Sequence, residues 1–195
     1  MITVDNPSDR EVVSILSDAF HDDPVLKWIK DSPDFVPFFM ELMLPAFIPM
    51  GLTYVDPGRR GAASWIGPRD QLHWPFTITN LLKMARMGGP SALYRMAVSG
   101  WKTEKSHPRE PHYYLFMIGA RPDCQGQGVG SALISHMLRR CDREQMPVYL
   151  ENSKEANLDF YRGHGFQVQQ EIRFAKNAPP LWLMWREPFA PAPAT

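Results

Sequence analysis

Small and amide-bearing residues crowd into one stretch, Gln125-Gly126-Gln127-Gly128-Val129-Gly130-Ser131, directly ahead of an amphipathic run. Glycine lets a backbone approach a ligand closely, and the free N–H groups that open a helix favour an anion. The chemistry this suggests is phosphate binding, with a plain glycine-rich connection as the alternative. A phosphate-binding NTPase loop needs a lysine followed by Ser or Thr after its last glycine, and Val129-Gly130-Ser131 offers no lysine. A dinucleotide fingerprint sets its third glycine three places after the second, with an acidic residue about 20 positions further on. The glycines here follow G-x-G-x-G, yet Glu151 falls near that distance, so the dinucleotide option is demoted rather than excluded.

Three elements must position this loop. His112 to Gly119 is aromatic and aliphatic throughout, as suits a buried strand, and Ala120-Arg121-Pro122-Asp123-Cys124 follows as a turn. Beyond the loop, Val129, Leu133, Met137 and Cys141 recur every four residues, with Ile134 and Leu138 widening the stripe, which predicts an amphipathic helix. Arg139, Arg140 and Arg143 lie in its last turns, where positive charge suits the dipole. Pro147-Val148-Tyr149-Leu150-Glu151 then reads as a second buried strand.

Gln125-x-x-Gly128-x-Gly130, after a strand and opening a helix, resembles the acetyl-coenzyme A signature of the GNAT superfamily of N-acetyltransferases. Asn157, Tyr161, Gly165 and Phe166 reproduce its N-x-x-x-Y-x-x-x-G-F pattern. Within the superfamily, Tyr149 to Ser153, Ala19 to Pro24 and Leu181 to Arg186 are similar to the branch containing puromycin N-acetyltransferase. The resemblance covers residues 112 to 174 best. It implies a mixed α/β fold whose central sheet is mostly antiparallel and flanked by helices, with the fourth and fifth strands parallel and splayed. It further implies acetyl-CoA as cosubstrate and direct attack by an amine in a ternary complex. By position, Ile118, Gly119 and Ala120 would pair with the pantetheine arm, Gln125, Gly126, Gln127, Gly128, Val129, Gly130 and Ser131 would hold the pyrophosphate, and Asn157 would bond the arm. Tyr161 would be the general acid toward the coenzyme A sulfur; its bland alternative is a core aromatic against Phe160 and Phe166.

Such a transfer needs a neutral amine, a polarised thioester carbonyl and a proton for the departing thiolate. Glu151, ending the fifth strand, is the candidate base if burial raises its pKa, the alternative being a structural carboxylate bonded to backbone N–H groups. Asp22 and Asp23 border the acceptor pocket by family analogy and are rivals, although adjacent acids before Pro24 also read as a helix boundary. Trp28 joins them as a candidate acceptor contact. His107 and His112 read as surface or strand-end residues, and the six histidines form no metal-ligand spacing with the cysteines, so no metal is expected. The acceptor favoured is a small-molecule amine. A peptide amine and a non-catalytic acyl-coenzyme A sensor are the competing readings.

At 195 residues the chain can bury a sizeable core, and one domain over residues 1–187 is expected, followed by a disordered Pro/Ala tail from Pro188 to Thr195. Its 21 basic and 21 acidic side chains balance, giving no bulk electrostatic reason to expect nucleic acid or membrane as a partner. Two cysteines read as incidental thiols, and the apolar run from Phe35 to Leu52 is interrupted by Pro37, Pro45 and Pro49, so neither a disulfide nor a span is expected and the cytoplasm is the expected location. Toward the N-terminus, Ile2 to Val4 predicts a strand, and Asp9 to Phe20 a helix with Val12, Val13, Leu16 and Phe20 on its apolar side. A short helix is expected after Pro24, another over residues 34 to 50, and a hairpin around Pro57-Gly58. Trp74 to Trp101 reads as two helices broken at Gly88-Gly89-Pro90, inserted between strands three and four. Of the aromatic residues, most are expected in the core. Leu181 to Trp185 is expected to present an apolar edge that would suit a homodimer.

Overall fold

The burial and hydrogen-bonding demands of these segments are met by thirteen regular elements in the computed structural model, which describes residues 1–4, 10–50, 52–70 and 77–189. They are β1 (Ile2–Val4), α1 (Arg10–Ala19), α2 (Pro24–Ile29), α3 (Phe35–Phe47), β2 (Thr53–Val55), β3 (Gly61–Ile66), α4 (Ile78–Ser106), β4 (Tyr113–Ala120), α5 (Val129–Arg143), β5 (Val148–Asn152), α6 (Leu158–Gly163), β6 (Gln167–Arg173) and β7 (Pro180–Arg186). The strands form one sheet in the order β1-β2-β3-β4-β5-β7-β6. Only β4 and β5 pair in parallel; the other neighbours are antiparallel. This is the mixed, mostly antiparallel sheet that the motifs lead one to expect.

Both sheet faces are covered. On one, Val12, Ile15, Leu16, Met40, Met43 and Phe47 of α1 and α3 meet Val55, Ala62, Tyr114 and Leu183. On the other, Leu133, Ile134 and Met137 of α5 and Tyr161 of α6 meet Ala63, Trp65, Leu115, Leu150 and Met184. Burial on α1 follows 12, 15, 16 and 19, while Val13 and Phe20 are only half-buried, one step round from the expected stripe. The start of that predicted helix, at Asp9, lies outside the described residues, as does Trp74. So do residues 190–195, which carry most of the Pro/Ala tail.

Proline and glycine act where their chemistry places them. α3 continues through Pro37 and Pro45, Pro37 falling in the first turn where no backbone donor is needed. α4 breaks at the expected point: Gly89 takes φ 74 and ψ 180, which only glycine adopts cheaply, and Pro90 cannot donate to the turn before it. The second half of α4 runs to Ser106, five residues beyond the expected end at Trp101.

The expected edge at Leu181 to Trp185 is corrected. β7 lies between β5 and β6, both of its edges are paired, and Leu181, Leu183 and Met184 are buried. The large exposed apolar side chains include Ile78, Leu82, Tyr94 and Trp101 on α4, which also makes Trp101 an exception to the expectation of core aromatics.

One irregularity shapes the site. β4 pairs with β5 at Tyr113, Tyr114 and Leu115 and no further, the last pair being Leu115 with Leu150. At that point the β3 partner of β4 jumps from Leu115 to Met117, so Phe116 is the extra residue of a β-bulge. The bulge reverses the alternation of the chain: the Tyr113 N–H bonds Pro147 O on the β5 side at 2.9 Å, yet eight residues on the Arg121 N–H bonds Arg60 O on the β3 side at 2.8 Å. Counting back from Arg121, the N–H groups of Ile118 and Ala120 face away from β3, into the gap that opens beside β5.

The far end of β7 is tied by a buried charge. Arg186, 1% exposed, donates to both oxygens of Asp142 on α5 at 2.7 and 3.0 Å and to His164 O at 2.9 Å. Asp142→Ala strands that guanidinium, and a loss of about 3 kcal/mol is expected in denaturant unfolding. A loss within about 0.5 kcal/mol would place the pair among the negligible surface bridges.

Candidate active site

The gap between β4 and β5 is a chamber of about 70 Å³. Phe116, Met117 and Ile118 line it from β4, Glu151 and Asn152 from β5, and Tyr161 from α6. Ile118, Asn157 and Tyr161 also line a larger cleft of about 590 Å³ over the glycine loop. Phe116, Met117, Asp23 and Glu151 are shared instead with a cavity of about 160 Å³ under α2, α3 and α4. The three spaces share walls in series, with the strand gap in the middle.

At the cleft end the walls are glycine backbone and the start of α5. Gly126 and Gly128 take φ 74 and φ 78, left-handed values at which a side chain is strained. Gly128 caps α5, and the first helical bond runs from the Ala132 N–H to Gly128 O, so the N–H groups of Val129, Gly130 and Ser131 have no partner within the helix. Gln125, Gly126, Gly128, Val129, Gly130 and Ser131 all line the cleft, together with Gly119 and Ala120. Gln127 does not; its side-chain amide donates to Asp123 O at 2.9 Å and braces the turn.

The titratable side chains Glu151 and Tyr161 line the gap. Glu151 is half-buried, and its carboxylate accepts from Tyr149 Oη at 3.0 Å and from Tyr114 Oη at 3.3 Å. Burial pushes its pKa up to about 7, against the two hydroxyl bonds that favour the charged form. Its partners are thus tyrosine hydroxyls and not the backbone N–H groups of the structural alternative. Tyr161 is 7% exposed, and burial, followed by the charge of Asp23, pushes its hydroxyl well above its ordinary range, so it stays protonated.

Asp22 and Asp23 divide. Asp23 is 3% exposed and lines the gap; its Oδ1 accepts from the N–H groups of Val25 and Leu26, capping α2, and its Oδ2 accepts the Ser153 hydroxyl. Asp23 thus caps α2 and also lines the gap. Asp22 pairs with Lys154 at the rim of the cleft. Trp28 packs against Phe174 with ring centroids 6.2 Å apart, under the Arg95 guanidinium, and lines none of the three spaces. Sequence reasoning missed Tyr114, Tyr149 and Ser153. Tyr149 stands two places before Glu151, on the same side of a strand, and that spacing was the available signal. Tyr114 and Ser153 reach the site through strand register and chain reversal, which carry no local signature.

Residues 92–166 match the model of the acetyltransferase (GNAT) family. An uncharacterised N-acetyltransferase of Schizosaccharomyces pombe is 27% identical over 92% of this chain and 79% of that protein. A mycothiol acetyltransferase of Saccharomonospora viridis is 30% identical, but over only 42% of this chain and 30% of that one. The crystal structure of a histone acetyltransferase HPA2 and related acetyltransferase from Corynebacterium glutamicum superposes with a TM-score of 0.67 at 24% identity, covering 98% of this chain and 99% of that one. The fold is the GNAT fold.

Behind Glu151 two histidines pack together: His112, buried just ahead of β4 as the strand-end reading expects, and His107, half-buried rather than on the surface. His112 Nδ1 donates to Glu110 O at 2.6 Å, which leaves its Nε2 to accept from His107 Nε2–H at 3.1 Å. His107 Nδ1 then carries a lone pair, buried and without a hydrogen-bond partner among the described residues, and the ring packs edge-on against Tyr114 and Tyr149. Burial, then the neighbouring His112, pushes the His107 pKa from 6.5 down to about 4. The unfolded chain therefore binds the extra proton first: the contribution to stability is complete above pH 6.5 and is lost as pH falls from 6.5 toward 4. His107→Gln keeps an N–H for His112 but cannot titrate, so its melting temperature is expected to fall less than the parent's across that window; parallel curves would refute the assignment.

Proposed function

We propose that this protein is an acetyl-CoA-dependent N-acetyltransferase acting on the amine of a small molecule by direct attack within a ternary complex. The observation that carries the reading is the pairing, in one small chamber between splayed strands, of a carboxylate with a pKa near 7 and a buried, protonated tyrosine. The loop fits the cosubstrate: left-handed glycines allow close approach, and the N–H groups of Val129, Gly130 and Ser131 suit a pyrophosphate. The N–H groups of Ile118 and Ala120 suit the amide-bearing pantetheine arm, and Asn157 borders the same cleft. Bound acetyl-CoA would supply a thioester whose carbonyl carbon is the electrophile.

In this reading Glu151 takes one proton from the incoming ammonium, freeing the nitrogen lone pair for the carbonyl carbon. The new C–N bond replaces the C–S bond. Tyr161 gives its proton to the departing sulfur and recovers one from the nitrogen, directly or through water, so that the net products are an amide, a thiol and one proton. Glu151 is preferred over Asp23 as base because Asp23 Oδ1 accepts two backbone N–H groups as the α2 cap, whereas each Glu151 oxygen accepts a single tyrosine hydroxyl and the group has a pKa near 7. A small-molecule acceptor is preferred over a peptide because the acceptor side of the gap is a cavity set under three helices. The puromycin N-acetyltransferase-like branch remains the finer family reading, resting on the sequence resemblance alone.

Tyr161→Phe is expected to keep acetyl-CoA affinity and lower turnover about 10²-fold. Glu151→Gln should lower turnover by a similar factor and erase the rise in activity with pH through about 7, since the base works only when deprotonated. Full activity in both variants would reject these roles, and acetyl-CoA binding with no turnover of any amine would favour the sensor reading. Gly128→Glu places a strained, negatively charged side chain at the anion site, and calorimetry should show acetyl-CoA binding lost; retained binding would show that the loop is only a connection.

A further inference from the structure

We infer that the acceptor is a compact aryl-alkyl primary amine whose ring sits in the cavity beneath α2, α3 and α4 and whose nitrogen reaches Glu151. This rests on the acetyltransferase reading above and names the substrate class for it. The body of the cavity is apolar, with Leu26, Phe39, Met40, Met43, Met96 and Phe174 on its walls. Its charged groups lie together where it meets the strand gap: Asp23 and Glu151, both also lining the gap. Among the described residues lining the cavity, none is Lys or Arg.

Charge selects first. Two carboxylates and no cation attract an ammonium and leave any acidic substituent of the acceptor buried without a counterion, which disfavours amino acids and phosphorylated amines. Polarity selects next. A sugar-like or polycationic amine would set hydroxyls or extra ammonium groups against methionine and phenylalanine, with few partners to satisfy them. Size selects last. At about 160 Å³ the space matches the roughly 150 Å³ apolar cavity known to admit one benzene ring, which leaves the nitrogen on a short linker in the gap. Met40, Met43, Met96 and Met117 give an adaptable, polarisable lining, and thioether sulfur makes favourable contacts with aromatic rings.

Gly100, in the second half of α4, also lines this cavity, and a Cβ built on it meets nothing within 4 Å. Leucine there takes up space in the cavity and replaces a helix-interior glycine by a better helix former, so the variant should fold. The test compares 2-phenylethylamine with phenylalanine, spermidine and a short peptide bearing a free N-terminus, following thiol release from acetyl-CoA, with acetyl-CoA binding measured calorimetrically in parallel. The expected result is a kcat/KM for 2-phenylethylamine about 10²-fold or more above each of the others, because each competitor buries a charge or polar groups without partners. Gly100→Leu should lower the phenylethylamine value at least about 10-fold, a steric change of a few methylenes, while acetyl-CoA binds as before. Acetyl-CoA binding with equal or better use of phenylalanine, spermidine or the peptide overturns this inference and leaves the acetyltransferase reading standing. Unchanged phenylethylamine kinetics in Gly100→Leu overturns the seating of the ring. Absence of acetyl-CoA binding overturns both.

Discussion

One extra residue in β4 governs the active-site region. Without the bulge at Phe116, β4 and β5 could continue their parallel ladder past Leu115 and Leu150, and the backbone groups beyond would be spent on each other. With it, the strands part at mid-sheet and the N–H groups of Ile118 and Ala120 face an opening. Polar backbone left open in the middle of a sheet is costly unless something satisfies it. A ligand lying in the gap like an added strand would meet that requirement, so in the proposed function the defect in the sheet and the binding site are the same feature.

The surroundings keep the gap in shape. β7 pairs with β5 on its far side through Glu151 and Leu183, so β5 is held along one edge while its other edge is open. Arg186 at the end of β7 is locked to Asp142 on α5, the helix whose N-terminus carries the glycine loop. α1 packs Leu16 and Ala19 close to Gly119, where a Cβ would lie 2.4 Å from that of Ala19. Glycine at 119 is therefore a packing requirement at the very strand that borders the cleft.

The chemistry follows from water exclusion. Glu151 keeps a pKa near 7 because burial of its carboxyl raises it, and the hydroxyls of Tyr114 and Tyr149 keep it from rising further. Tyr161 stays protonated for the same reason of burial, helped by the charge of Asp23. One chamber thus holds a carboxylate with a pKa near 7 and a tyrosine that stays protonated, the two groups that the proposed transfer calls for.

Much of this was written in local sequence. The glycine loop, the amphipathic period of α5, the break at Gly89-Pro90 and the Asn157 to Phe166 pattern are short-range features, governed by backbone torsion and helical spacing that neighbours in the chain decide. Tyr161 could be named from the last of these through the family resemblance, and Glu151 from the end of the strand that begins at Pro147. What the sequence did not show was how segments meet. The supposed edge at Leu181 to Trp185 is the inside of the sheet because β6 folds back beyond it, and no apolar run announces which strand will cover it. Tyr114 meets Glu151, and Ser153 meets Asp23, through strand register and chain reversal. Those contacts join residues as many as 130 places apart, and tertiary packing alone decides them, because burial and hydrogen bonding act between surfaces that the chain order does not make adjacent.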